Sequence, residues 1–311
     1  METYRTPDDR FAEVTGWPEP SYAEVADPGA AEPGATLRMA YVDVGPSDAP
    51  DAPVVLLLHG EPTWSYLYRD VVDVLVAAGL RCVVPDLVGF GRSDKPVDSA
   101  EHSYARHVEW VRELALDHLD LRDVTLVGQD WGGLIGLRLV AEHPDRFSRV
   151  VAANTGLPTG DRDMPEVWWR FRRAVEGAEV LDVGRLVESG CVRGLDPAVR
   201  AAYDAPYPTE ASKAGPRAMP GLVPTRPDDP ATEANRAAWA VLQTWDRPFL
   251  VAFSDSDPIT GGMAPILRRS VPGAGELDHP TIERAGHFLQ EDSGRELGEA
   301  VAAFVRAGRP G

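Results

Sequence analysis

Apolar side chains recur along this chain in two rhythms, and the change from one to the other marks its organisation. Residues 37–44 alternate apolar and polar side chains, which predicts an outer antiparallel strand. Val54-Val55-Leu56-Leu57-Leu58 is apolar throughout and reads as a strand buried on both faces. It ends in His59-Gly60-Glu61-Pro62, and a helix is expected over 64–78. Cys82-Val83-Val84 is the next strand, closed by Pro85-Asp86 and the loop Gly89-Phe90-Gly91-Arg92-Ser93. A helix over 104–119, a strand over 123–127, a helix over 134–142 and a strand over 150–153 follow. Strands alternating with helices imply a mostly parallel sheet with helices on both faces.

The rhythm changes after Asn154. From about 156 to 230 no buried strand is expected, only helix-like pieces at 166–175, 184–189 and 197–203, then a proline-rich stretch over 206–230. Alternation resumes with a helix at 232–245, a strand at 249–253, a helix at 262–270, a strand near Thr281-Ile282 and a final helix over 289–307. The expected organisation is therefore an α/β core formed by 1–155 and 231–311, interrupted by a helical cap at 156–230.

Charge narrows the partners. The formal net charge of −18 argues against nucleic acid or an anionic membrane surface, both of which need basic patches. Two cysteines, Cys82 and Cys191, give no disulfide framework, and no Cys/His spacing suits a metal. No targeting segment and no bilayer-length apolar run is visible, so the chain reads as cytoplasmic.

The candidate chemistry starts at Gly128-Gln129-Asp130-Trp131-Gly132-Gly133, between a strand and a helix. A glycine-flanked turn in that setting lifts one side chain above a parallel sheet, as in the nucleophile elbow. The usual occupant is serine; here it is Asp130. A carboxylate can displace a leaving group from saturated carbon and form an alkyl ester.

A histidine and a second acid complete the order nucleophile, acid, histidine of the α/β-hydrolase arrangement. His287, in Glu283-Arg284-Ala285-Gly286-His287-Phe288, follows a strand and titrates near neutrality, so it suits a base that activates water. The acid that orients it should follow the strand ending at Phe253. Asp257, nearer the loop tip, is the candidate, while Asp255 is expected to satisfy turn amides. The backbone N–H groups of Glu61 and Trp131 are expected to converge on Asp130 as an oxyanion hole.

Several runs together resemble the haloalkane dehalogenases. They are His59-Gly60-Glu61-Pro62-Thr63-Trp64-Ser65-Tyr66-Leu67-Tyr68-Arg69, Gly89-Phe90-Gly91-Arg92-Ser93-Asp94-Lys95-Pro96 and Gln129-Asp130-Trp131-Gly132-Gly133. Ala205-Pro206-Tyr207-Pro208 and Ala285-Gly286-His287-Phe288 extend the resemblance over nearly the whole chain. It implies an α/β-hydrolase fold, no cofactor and no metal. Asp130 would attack the halogen-bearing carbon of a small apolar substrate and expel halide. Water activated by His287 and Asp257 would then cleave the ester.

The resemblance also implies a halide site built from indole N–H donors, with Trp131 as the first. Glu61 stands where one subfamily has Asn, which points to the subfamily with a second tryptophan in the cap. Trp168 and Trp169 are the candidates, set about 100° apart on a helix, so one of them faces the site. Matching Trp169-Arg170-Phe171 to the family pattern selects Trp169. Trp239 and Trp245 are assigned to core packing.

An epoxide hydrolase is the nearest alternative, with the same Asp–His–Asp logic and with Tyr203 and Tyr207 available as epoxide-protonating tyrosines. A fluoroacetate-type dehalogenase should carry Arg where Trp131 stands. A non-catalytic receptor on this fold would not need all three polar residues. Oligomeric state is left open by the sequence.

Overall fold

The computed structural model describes residues 1–30, 34–47, 49 and 51–307. Seven strands form the central sheet: β1 (Ser21–Ala26), β2 (Thr36–Val44), β3 (Val54–Leu58), β4 (Arg81–Pro85), β5 (Val124–Gln129), β6 (Phe147–Ala153) and β7 (Phe249–Val251). Their order is β1-β2-β4-β3-β5-β6-β7, with β1–β2 and β2–β4 antiparallel and every later pair parallel. The chain moves from β3 to one side and returns to its other side as β5. The strand order thus reverses at β3, and open α/β sheets carry their ligand crevice outside the strand ends at such a point.

Among the described residues ten α-helices accompany the sheet: α1 (Arg69–Ala77), α2 (Tyr104–Arg112), α3 (Trp131–Glu142), α4 (Glu166–Gly177), α5 (Val183–Ser189), α6 (Pro197–Asp204), α7 (Ala214–Leu222), α8 (Thr232–Leu242), α9 (Ala264–Ser270) and α10 (Leu289–Ala307). The two-residue period of β3 sorts its side chains between two cores. Val55 and Leu57 join Val71 and Leu75 of α1 and Leu297 and Val301 of α10. Leu56 and Leu58 join Val108 of α2 and Ile135 and Leu139 of α3 on the opposite face. Burial on both faces is why β3 is apolar throughout.

Some elements differ from the expectations. The helix expected at 64–78 opens with a 3-10 turn at Ser65–Tyr68, and that expected at 104–119 ends in a π-helical stretch at Glu113–His118. Helix α3 begins at Trp131, directly after Asp130, three residues earlier than its apolar run suggests. The strand expected at 249–253 divides: Ala252 N–H still bonds to Ala152 O at 2.9 Å, but Phe253–Ser254 pairs parallel with Thr281–Ile282. Between β6 and β7 the described residues contain helices and no strand. One of them, α7, crosses the proline-rich stretch with Pro220 inside it near its end.

Candidate active site

The expected site residues come from successive strand ends. Glu61 follows β3, Asp130 follows β5, Asp257 follows the Phe253–Ser254 segment and His287 follows Thr281–Ile282. All sit beyond carboxyl ends of strands, so the parallel register brings residues far apart in sequence to one edge.

Asp130 adopts φ +49° and ψ −125°, a left-handed conformation that costs a non-glycine residue of order 1–3 kcal/mol. Its surroundings enforce that geometry. Its N–H donates to Asn154 O at 3.0 Å, and its carbonyl accepts Thr155 Oγ1 at 2.7 Å and the Gly133 and Leu134 N–H groups at 3.0 Å each. A Cβ on Gly132 would come within 1.9 Å of Leu58 O, so only glycine lets α3 start this close to β3. Gly60 serves the carboxylate in the same way, since a Cβ there would lie 2.3 Å from Asp130 Oδ1.

The two carboxylate oxygens of Asp130 have separate neighbours. Oδ1 accepts the Glu61 N–H at 2.9 Å, while Oδ2 lies 3.5 Å from His287 Nε2. Among the described residues the Trp131 N–H makes no hydrogen bond to that carboxylate, so one of the two expected oxyanion donors engages it here. The Glu61 side chain is buried, its Oε1 has no partner among the described residues, and burial and the nearby Asp130 raise its carboxyl well above the ordinary range.

His287 Nδ1 faces Asp257 Oδ2 at 3.2 Å. Asp257 also accepts the Ile259 N–H at 2.9 Å, the Thr260 N–H at 3.2 Å and the Thr260 hydroxyl. Burial opposes its ionisation, but the adjacent His287 and these donors prevail and hold it at about 2. Burial likewise disfavours the imidazolium, yet Asp257 and Asp130 outweigh it and raise His287 to about 10. Asp255 points elsewhere, accepting the Arg284 and Ala285 N–H groups at 2.8 and 3.2 Å.

Two residues not singled out from the sequence hold this group. Asn154 Nδ2 donates to Gly286 O at 2.9 Å and His287 O at 3.1 Å, and Gln129 Nε2 donates to His287 O at 3.1 Å. Gln129 Nε2 is also 3.3 Å from His287 Nε2. Gln129 directly precedes Asp130 and Asn154 directly follows β6, but nothing in their local pattern announces partners more than a hundred residues away.

A cavity of about 1120 Å³ opens over these groups. Glu61, Asp130, Trp131 and His287 line it, with largely apolar walls that include Leu134, Leu157, Phe171, Val223 and Met263. Helix α4 contributes Val167, Trp168, Arg170, Phe171 and Ala174, one face at helical spacing. Trp169 is not on that lining; it is half-buried and packs edge-on against Trp168 at 4.8 Å between ring centroids. On this lining the helix phase presents Trp168, whereas the sequence expectation named Trp169.

Trp239 also lines the cavity, but its indole N–H is engaged by Leu157 O at 2.7 Å. Trp245 is buried in the core. Tyr203 and Tyr207 are off the lining, their hydroxyls bonded to Glu291 and to Pro62 O, which leaves no tyrosine pair over Asp130 among the described residues. His279 supports the sheet, accepting the Val251 N–H at 3.1 Å. No cluster of three or more His, Cys, Asp or Glu suited to a metal occurs among the described residues. No helix among them is long and apolar enough to cross a membrane.

Known proteins resemble this chain over nearly its whole length. Residues 53–293 match the family model for the alpha/beta hydrolase fold. A haloalkane dehalogenase of Psychrobacter cryohalolentis is 49% identical over 306 residues, covering 98% of each chain. Haloalkane dehalogenase 1 of Mycobacterium tuberculosis is 51% identical over 308 residues, covering 99% of this chain and all of the other. Among solved structures, the tetrameric haloalkane dehalogenase of Paraglaciecola agarilytica NO2 superposes with a TM-score of 0.86 at 35% identity, covering 96% of this chain and 97% of that one. An aspartate at the elbow, a histidine between it and a second aspartate, and relatives this similar over nearly their whole length make the chain a member of the haloalkane dehalogenases, hydrolases that act on carbon–halide bonds.

Proposed function

We propose that hydrolysis proceeds in two steps through an alkyl ester on Asp130, with His287 and Asp257 serving the second step. The observation that carries this reading is the line of contacts Asp257–His287–Asp130, at 3.2 and 3.5 Å. An Asp130 carboxylate oxygen attacks the halogen-bearing carbon, and the halide leaves with the bonding electron pair. Water then adds to the ester carbonyl, giving its proton to His287 Nε2. The tetrahedral intermediate, which keeps water's second proton, expels the alkoxide with the C–O electron pair; the alkoxide takes the proton from His287 and leaves as the alcohol, and the Asp130 carboxyl group gives its remaining proton to solvent to restore the carboxylate.

Electrostatics orders the two steps. In the free enzyme His287 is held in its charged form partly by Asp130. Forming the ester removes the Asp130 charge, so His287 loses one of the groups that raise it and releases its proton more readily. The base thus becomes available once there is an ester to hydrolyse. Asp257, which keeps its charge throughout, fixes the tautomer with Nε2 free.

The halide is assigned to the indole N–H groups of Trp131 and Trp168, both cavity residues. The Glu61 N–H, joined by that of Trp131 as the tetrahedral oxyanion forms, stabilises its charge. Residues 156–230 act as the cap over a core of 1–155 and 231–311, and the apolar walls select an uncharged haloalkane. The lack of a tyrosine pair over Asp130 favours halide departure over epoxide opening.

His287→Phe tests the scheme. Incubated with 1-bromobutane, the variant should release about one equivalent of bromide per enzyme and gain one butyl group on Asp130, read by intact and peptide mass spectrometry. A folded, unmodified variant overturns the two-step scheme; a butyl group on another residue overturns Asp130 as nucleophile.

A further inference from the structure

The loop that carries His287 is bound to segment 190–193, the turn that follows α5, by a seam whose centre is a buried carboxylate outside the reacting group. Asp292, in the first turn of α10, is 3% exposed. Its Oδ2 accepts the Gly286 N–H at 2.8 Å and the Val192 N–H at 2.9 Å. Its Oδ1 accepts the Arg193 N–H at 2.9 Å and a longer bond from Val192 at 3.1 Å. Three backbone donors from two distant segments therefore converge on one side chain.

The same seam is closed by direct backbone contact. Gly190 O accepts the His287 N–H at 2.8 Å. A Cβ on Gly286 would stand 2.3 Å from Gly190 O, and one on Gly190 would stand 2.7 Å from the Phe288 ring. Two glycines thus let the two loops of the seam meet. Gly190, Cys191, Val192, Gly286 and His287 all line the cavity, whereas Asp292 does not.

We infer that Asp292 is a positioning residue for ester hydrolysis, holding the backbone of His287 against segment 190–193 so that Nε2 meets the incoming water. This assignment rests on the two-step reading above. It follows from the chemistry of the acceptor. A carboxylate offers lone pairs on both oxygens to the three N–H groups, whereas an amide would turn its own N–H₂ toward at least one of them. The loop would then shift, and a displacement near 1 Å at a base costs about a hundredfold in rate. Alkylation needs only Asp130 and the halide donors, which are held by β5, β6, α3 and α4, so it should be spared.

The experiment follows both steps with 1-bromobutane in wild type, His287→Phe, Asp292→Asn and, as a control, Tyr203→Phe. Tyr203 anchors α6 to Glu291 beside the seam, and among the described residues its hydroxyl makes no hydrogen bond to the His287 loop. Rapid-quench bromide release reports alkylation, and decay of the butyl-enzyme mass reports hydrolysis. Asp292→Asn should alkylate within about threefold of wild type and hydrolyse its ester at least about tenfold more slowly. Tyr203→Phe should leave the ratio of the two rates unchanged.

Hydrolysis within threefold of wild type in Asp292→Asn, or equal slowing of both steps, overturns the assignment. So does a Tyr203→Phe variant that matches Asp292→Asn, because the effect would then be general to the seam. If Asp292→Asn does not fold, Asp292→Ser, which retains an oxygen acceptor, is held to the same criteria. Absence of ester from His287→Phe rejects the two-step reading; ester there with normal hydrolysis in Asp292→Asn rejects only the role of Asp292.

Discussion

The strand-end loops and helix α4 face each other across one cavity, yet they are fixed by different forces. Asp130 is set by hydrogen bonds with Asn154, Thr155, Gly133 and Leu134, and the His287 loop by bonds from Asn154 and Gln129 and by one it gives to Asp292. Such bonds are directional and weaken steeply when bent. Helix α4 rests instead on the burial of Trp168 and Val175, with Arg217 of α7 donating to the carbonyls of Val175 and Ala178 at its end. Burial is not directional. The chemistry therefore sits where the backbone dictates position, while the shape of the cavity sits where side chains can repack.

The widest test of that division compares two aspartates in one loop. Asp257 faces His287, whereas Asp255 caps the turn at Arg284 and Ala285. Asp257→Ala should lower the rate of ester hydrolysis by about 10²–10⁴-fold, the scale of general-base catalysis. Asp255→Ala should lower thermal stability and leave that rate within a few-fold. Equal kinetic losses in the two variants would erase the distinction between reacting group and scaffold.

On the α4 side, bromide or iodide titrations monitored by tryptophan fluorescence should separate the neighbouring indoles. Trp168→Phe should weaken halide binding about tenfold to hundredfold, the loss of one charge-assisted hydrogen bond of roughly 1.5–3 kcal/mol. Trp169→Phe should change it little. The opposite ranking would mean that the cap turns on the core when halide binds.

A smaller effect concerns the turn itself. Asp130→Gly and Asp130→Ala both remove the carboxylate, but only glycine relaxes the positive φ. The glycine variant should be more stable in urea by about 1 kcal/mol or more. Equal stability would mean that the surrounding bonds leave no strain at the elbow.

The smallest expected change is in the dependence of stability on pH. His287 is raised above its ordinary value to about 10 in the folded state. Its contribution is therefore full below about 6.5 and is lost as pH rises through about 10. The melting temperature of the wild type should fall over that interval by more than that of His287→Phe. Parallel curves would place the stabilising charge elsewhere.

The same division explains what could be read from the sequence. The apolar run 54–58 and the elbow glycines announced themselves, because burial on both faces and close backbone approach leave few residue choices. The chain order of Asp130, Asp257 and His287 was legible as loops after strands. Trp168 and Trp169 were not separable, since adjacent residues on a helix differ only in phase and the apolar pattern around them is broken by Arg170, Arg172 and Arg173. Strand β1 escaped notice because Ser21–Ala26 buries only Ala23 and Val25, too few apolar positions to stand out. Helix α7 was hidden by Pro216 and Pro220, although the first occupies its opening turn, where the missing N–H costs nothing. Asn154, Gln129 and Asp292 act through partners brought in by the fold, and no local spacing encodes them.

The left-handed turn at Asp130 also governs how this enzyme can diverge. Its conformation is imposed by Gly128, Gly132 and Asn154, not by the aspartate side chain. Any side chain with a Cβ meets nearly the same backbone penalty there. A lineage can therefore exchange the attacking group by one substitution without rebuilding the loop, while the histidine and its acid stay in service. The identity of the side chain at the elbow becomes a local trait of the molecule, and the fold around it remains common property.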